Sequence, residues 1–232
     1  MNKIRIEKKI GAFTLSFETG FLAKQAAGCV MTQYGDTVVL NAVAAGPARP
    51  GIDFFPLMCD YRERTSAAGK FPGGFLKREG RPSMKETLTS RLMDRPIRPL
   101  FPKGYADEVQ CQSFVMASDR LNDGDVLAMN GCSAALLLSP LPFLGPVASV
   151  RLGRIDDQWV PFPTAEGLES SDLDLIVSGS RESVTEPTWT PWENAGQASV
   201  LTRVTSWDVP VSPITEKRNT VLCGIPPVPK RR

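Results

Sequence analysis

The sequence predicts an α+β domain in which a mixed β-sheet packs with helices, and three observations carry that expectation. Two early stretches alternate apolar and polar residues across short turns, as antiparallel hairpins do. Two helix signals stand among further strand-like stretches, one capped by a Ser and one apolar nearly all round. Hairpin connections between the strands argue for a sheet-and-helix layer rather than a doubly wound parallel fold.

Taken in order, Lys3 to Phe17 reads as a hairpin turning at Ile10-Gly11-Ala12, with Ile4 and Ile6 followed by Phe13, Leu15 and Phe17. A second hairpin is expected from Cys29–Gln33 and Thr37–Ala44, with Gly35-Asp36 near its turn. Gly46 to Phe54 is a loop, and Phe55 to Tyr61 a strand. Ser83-Met84-Lys85-Glu86 has the form of a capping box after Pro82, so a helix should begin near Met84. Arg95-Pro96 should end it, because a residue before proline avoids the α region. In that helix Leu88 and Leu92 are expected to face the core, with Arg91 and Arg95 sharing another face and Arg98 following in an extended segment. Val109–Ala117 alternates as a strand, Asp119–Asp125 is a polar turn, and Val126–Leu138 is a core helix. Val147–Ile155 and Leu173–Gly179 supply two more strands.

From Thr185 the composition shifts. Three of the four tryptophans and seven of the twenty prolines fall after that point, and no helical or strand period persists. The expected division is a folded domain over 1–184 and a tail over 185–232, unrelated to it and either disordered or holding a loose strand or two.

Composition narrows the chemistry. With no histidine among 232 residues, His-based nucleophile systems and His-ligated metal sites are excluded. Five scattered cysteines without a C-x-x-C pair indicate neither a disulfide framework nor a zinc site. No apolar run approaches the ~20 residues of a membrane span and no signal peptide precedes the first strand, so a cytoplasmic protein is expected.

Charge is concentrated in one place. Tyr61 to Tyr105 holds eleven basic and four acidic residues, whereas the whole chain is only +2. Within it, GKFPGGFLKREG is a Gly-rich loop with an aromatic beside two cations, a composition suited to stacking on a base while gripping its backbone. A basic run alone fits a solvated face equally well.

The stretch FFPLMCDYRERTSAAGKFPGGFLKREGRPSMKETLTSRLMDRPIRPLFPKGY resembles the first ribonuclease PH-like half of the polynucleotide phosphorylase family of phosphorolytic exoribonucleases. GCVMTQYGDTVVLNAVA is similar to the same family through Gly28, Val30, Gly35, Asp36 and Thr37, which are otherwise read as turn residues. The resemblance implies a ribonuclease PH-like fold, single-stranded RNA as partner and a trimeric ring of the complete enzyme. It also implies Mg²⁺ in that enzyme, none being expected for this chain alone. The family's Phe-Phe-Arg-Arg loop corresponds to Phe75-Leu76-Lys77-Arg78, and Arg91, Arg95 and Arg98 match the family unchanged, so RNA contacts are expected from Phe75, Lys77, Arg78 and Arg81 and, as the preferred backbone contacts, from Arg91, Arg95 and Arg98. Leu76 has no π face and Lys77 no bidentate fork, which weakens the loop.

The catalytic positions depart from the pattern. Where the family's catalytic half binds phosphate through a Ser-rich segment, this chain resembles it only as Asn122-Asp123-Gly124-Asp125, whose carboxylates should repel an anion. Where that half has D-x-D-x-K, this chain has Asp172, Asp174 and Ile176. Asp172 and Asp174 are weak metal candidates, and solvated residues at a strand entrance are the preferred reading. No catalytic residue is therefore expected. The resulting expectation is a truncated first half that binds RNA and supports ring assembly. The alternatives are a stand-alone phosphorolytic nuclease of the ribonuclease PH kind, or a non-catalytic structural paralogue in an RNA-degrading assembly.

Overall fold

The N-terminal hairpins form as their alternation predicts: β1 (Ile4–Ile10) pairs with β2 (Phe13–Thr19), and β3 (Gly28–Tyr34) with β4 (Thr37–Gly46) across Gly35-Asp36. In this computed structural model residues 3–48, 50–51, 53–180 and 184–190 are described, the last stretch as backbone only. β5 (Leu57–Glu63) leads through the basic segment to helix α1 (Met84–Ile97), which crosses back to β6 (Glu108–Ala117). One six-stranded sheet results, in the order β1-β2-β3-β4-β6-β5, antiparallel except for the β5–β6 pair that α1 connects.

Helix α2 (Asp125–Leu138) follows, then β7 (Ala148–Ile155), β8 (Gln158–Pro161), the short helix α3 (Ala165–Glu169), β9 (Asp174–Gly179) and β10 (Val184–Thr190). The last four strands form a second sheet, β10-β9-β7-β8. α2 packs on β3 and β4 on one side and on β7 on the other, so it is the apolar filling between the two sheets. Its near-continuous burial explains why its sequence shows no polar face. β8 and α3 escaped the sequence reading because each is too short to carry a period. The predicted boundary after Val184 falls inside a strand: β10 continues to Thr190 and pairs antiparallel with β9, while the remainder of the predicted tail lies outside the described residues.

The capping box forms in full. Ser83 Oγ accepts from Glu86 N–H, and Glu86 returns a carboxylate oxygen to Ser83 N–H. The other end differs from expectation. α1 runs through Pro96 to Ile97, and Arg98–Leu100 forms a 3₁₀ turn rather than an extended segment. Proline there forfeits only one backbone bond near the helix end, and Arg98 N–H still reaches the Asp94 carbonyl.

The buried face is also shifted by one position. Thr89, Met93 and Ile97 are buried, whereas Leu88 is 50% exposed and Leu92 only flanks the core. Polar contacts with β5 set this rotation: Glu86 Oε1 accepts from Glu63 N–H at 2.9 Å, and Ser90 Oγ from Tyr61 N–H at 3.1 Å.

Of the five family-patterned residues read as turn positions, only Gly35 and Asp36 lie in the turn. Gly28 starts β3 beneath α2, Val30 is core, and Thr37 Oγ1 bonds Asp119 and the Asn122 carbonyl from the start of β4. A Cβ at Gly28 would stand 2.1 Å from the Ala135 carbonyl oxygen, and one at Gly131 of α2 would stand 2.0 Å from Asn41 Nδ2. The helix seats on the sheet only because both contact points lack side chains. Gly28→Ala must push α2 backbone aside, so urea denaturation should show a loss of about 1–3 kcal/mol or more. A cost near zero would mean α2 does not sit this close.

Candidate nucleic-acid interface

The basic segment folds into three places. The first is the loop between β5 and α1, fixed at its base where Glu79 Oε1 accepts from Thr65 N–H and Oγ1–H. Its tip stands clear of the body: Phe75 is 98% exposed and Leu76 72%. Lys77, Arg78 and Arg81 are exposed beside it, and Lys77 takes a positive φ of 50° directly after the Gly74 turn. An aromatic this exposed contributes nothing to the core, so its ring face is available to a partner.

The second place is the outer face of α1, where Arg91 and Arg95 lie exposed one turn apart. Arg98, grouped with them from sequence, has a different role. Its Nε and Nη2 donate to Asp94 at 3.1 and 2.7 Å, and Nη1 and Nη2 donate to the Phe55 and Leu57 carbonyls at 3.1 and 3.2 Å. This guanidinium braces the end of α1 against the start of β5, and its fork is already used. At 1.5 Å per residue the 14-residue α1 also sets Arg98 about 20 Å from the helix start that follows Arg81. The seven predicted RNA contacts thus do not converge on one spot.

The third place was not singled out in the sequence. An open cleft of ≈ 240 Å³ lies between the loop base and the outer face of β5 and β6, with Arg62, Arg64, Arg81 and Phe114 in its wall. Arg62 and Arg64 were visible as charges. Phe114 was hidden in a strand whose alternation said only which residues face inward, and its cross-strand register with Arg62 exists only once the parallel pair forms.

Adjoining the cleft through Glu63, the positions matching the family's catalytic half take part in a charge network. Lys85 Nζ sits 2.8 Å from Asp123 and 3.0 Å from Glu63. Arg151 on β7 reaches Asp123 at 2.5 Å and Asp125 at 3.3 Å, and holds Asp174 with two donors at 2.7 and 2.6 Å. Asp123 and Asp125 are therefore paired rather than bare: Lys85 and Arg151 hold them while also binding Glu63 and Asp174, two cations shared among four carboxylates. Burial opposes ionisation of Asp123, yet Lys85 and Arg151 outweigh it and hold the carboxyl below its usual range. At Asp125 burial wins over Arg151 and pushes the carboxyl up. Ile176 is 9% exposed and belongs to the hydrophobic core, where no cation could replace it without loss.

Asp172 and Asp174 do not form a metal pair. Arg154 grips Asp172 through Nε and Nη2, Arg151 grips Asp174, and no group of three or more acidic or thiol ligands converges among the described residues. These donor sets suit guanidinium forks and do not fit a divalent cation.

The carboxyl shifts fix an acid response. Glu86, Asp119 and Asp123 are all lowered: burial opposes ionisation in each case, and hydrogen bonds from backbone amides or the neighbouring cations outweigh it. Their stabilisation is complete above the unfolded values of about 4 and is lost as pH falls through the lowered folded values. Asp125, raised, acts with the opposite sign. Asp172 is lowered as well by its hydrogen bonds from Arg154, so four groups stand against one; the urea midpoint should fall between about pH 5 and pH 2, and Asp123→Asn should flatten part of that fall. A midpoint that holds steady or climbs over the same range would show these contacts absent.

Comparison with known proteins follows the geometry. Residues 14–142, more than half of the chain, match the 3′ exoribonuclease family, domain 1 (RNase PH). The chain is 70% identical over 184 residues to a polyribonucleotide nucleotidyltransferase of Rhodopirellula baltica, covering 79% of this chain and 24% of the relative. It is 48% identical over 229 residues to that of Geobacter sulfurreducens, covering 97% of this chain and 33% of the relative. The chain thus spans about a quarter to a third of the length of these curated relatives. Among solved structures it is similar to a chain of the Archaeoglobus fulgidus exosome with RNA bound to the active site, at a TM-score of 0.60 and 17% identity over 82% of this chain and 77% of that one. That likeness shows the ribonuclease PH-like fold. No helix among the described residues is long and apolar enough to cross a membrane.

Proposed function

The chain belongs to the 3′ exoribonuclease family, and from that premise we propose that it is the RNA-binding, non-catalytic half of a phosphorolytic 3′-to-5′ exoribonuclease that degrades mRNA to nucleoside diphosphates. One contrast carries the reading. The loop presents an almost fully exposed Phe75 among exposed cations, whereas Asp123, Asp125 and Asp174, at the positions matching the family's catalytic half, are tied up with Lys85 and Arg151. Single-stranded RNA is the ligand that suits an exposed aromatic-basic loop, since every base offers a π face and every linkage a phosphate. The chain would act in a homo-oligomeric ring together with a catalytic half that holds the family's Mg²⁺. The same charge network weighs against a stand-alone nuclease.

RNA binding should be electrostatic at the basic side chains and stacking at the loop tip. Lys77→Ala with Arg78→Ala is expected to flatten the log–log salt slope by roughly 0.7 per lost contact, with Arg91→Ala and Arg95→Ala adding to it. Phe75→Ala should weaken binding by about 1–3 kcal/mol with the slope unchanged. Arg98→Ala should instead lower the melting temperature. Fluorescence anisotropy with a labelled oligouridylate across a salt series measures the first two, and unchanged slopes throughout would make the basic segment a solvated face.

A further inference from the structure

We propose that the cleft beside the loop base is a subsite for the phosphate of a single nucleotide unit, received between Arg64 and Arg81; in naming single-stranded RNA as the source of that unit, the inference rests on the RNA-binding reading above. The argument is an accounting of donors and acceptors. Every carboxylate in the cleft wall already has partners. Asp60 pairs with Arg62 at 3.0 Å, and Glu63 receives Lys85 and the Tyr61 hydroxyl. Glu79 receives Thr65 twice, and Glu86 takes the Ser83 and Glu63 amides. Among the described residues, no carboxylate answers Arg64 or Arg81. Although four carboxylates and three guanidiniums line the cleft, the Arg64 and Arg81 forks are the donors that no carboxylate takes up, and a phosphate oxygen is an acceptor that suits them.

Phe114 makes the site more than two loose cations. The Arg64 guanidinium lies over its ring, 6.0 Å from the centroid, a cation–π contact that ties Arg64 to β6. Both Arg62 and Phe114 project from adjacent positions of a parallel strand pair, so this wall is rigid. Arg81 stands on the other side, between the Glu79 anchor and the start of α1. At ≈ 240 Å³ the cleft is smaller than the roughly 300–1,000 Å³ typical of pockets for drug-sized ligands, which limits it to about one nucleotide. Its place at the loop base lets a strand stacked on Phe75 deliver its neighbouring phosphate inward.

The test uses the full chain and three probes: a short oligouridylate, uridine monophosphate and inorganic phosphate. Arg64→Gln and Arg81→Gln should each weaken oligouridylate binding about tenfold, and each should reduce the salt slope by roughly 0.7. Uridine monophosphate should bind weakly to the wild type and not measurably to either variant. Phe114→Leu should weaken both ligands while leaving the slope intact, because it loosens Arg64 without removing its charge. Should Arg64→Gln lower the melting temperature, Arg81→Gln carries the comparison, since no structural partner is lost with it among the described residues. Oligouridylate affinity unchanged in both Arg variants but weakened by Phe75→Ala would overturn the subsite and leave the RNA reading standing. Arg64-dependent binding of uridine monophosphate without any oligouridylate binding would support the phosphate subsite and overturn RNA as its source. Arg64-dependent binding of inorganic phosphate alone would overturn the nucleotide assignment.

Discussion

Arg151→Ala is expected to destabilise the chain by about 3–5 kcal/mol, the usual cost of stranding buried charge by removing its partner. Its side chain is 16% exposed and serves Asp125 at 7% and Asp174 at 15%. Asp123, at 39%, keeps Lys85 and enough water that its share of the loss is small. The network also joins elements distant in sequence: Lys85 starts α1, Asp125 starts α2, Arg151 lies on β7 and Asp174 on β9. Loss of the guanidinium leaves like charges facing one another between the two sheets. Adding Asp125→Asn and Asp174→Asn to Arg151→Ala should recover part of the stability, with a coupling of about 0.5–3 kcal/mol. Urea denaturation of the four chains measures this. A single-variant cost below about 1 kcal/mol, the range of an exposed pair, would show that water enters the network.

What could be read in advance was local. The capping box at Ser83 and Glu86 is a four-residue event, and the structure forms it as the sequence spells it. Strand alternation likewise found the two N-terminal hairpins and β6, and the resemblance supplied the fold. What needed the third dimension was missed. Leu88 looks like a core residue and Thr89 does not, yet the hydrogen bonds of Glu86 and Ser90 to β5 rotate Thr89 inward. Gly28 resembles a turn glycine, and only the approach of Ala135 from α2 explains it. Arg98 and Arg91 are equivalent cations in one dimension, separated once Asp94 and two carbonyls claim Arg98. Asp123 and Asp125 were legible as charges but not as paired charges, because Arg151 is more than twenty-five residues away on another sheet.

In phosphate and Mg²⁺ the purified chain is expected to release no nucleoside diphosphate from RNA, whatever its affinity for RNA. A phosphate nucleophile needs donors free to receive it, and Lys85 and Arg151 already bind Glu63, Asp123, Asp125 and Asp174. The cation that would offset charge in the transition state is replaced by Ile176, which is seated in the core. Loss of one such electrostatic stabiliser typically costs about 10²–10³ in rate. Loss of the nucleophile's seat compounds it by removing the positioning that makes the attack effectively unimolecular. Asp123→Ser with Asp125→Ser would free part of Arg151 for an anion, yet Asp174 still holds two of its donors, so that variant should gain phosphate affinity without gaining turnover. A contaminating host enzyme is the natural source of false activity, so the wild type must be followed through two columns beside an Asp172→Asn, Asp174→Asn variant. Phosphate-dependent release that co-elutes with the chain and drops in that variant would overturn the non-catalytic reading and restore the stand-alone nuclease. If release is equal in both preparations and fades with further purification, the chemistry belongs to the contaminant, and the charge network is a structural replacement for an active site.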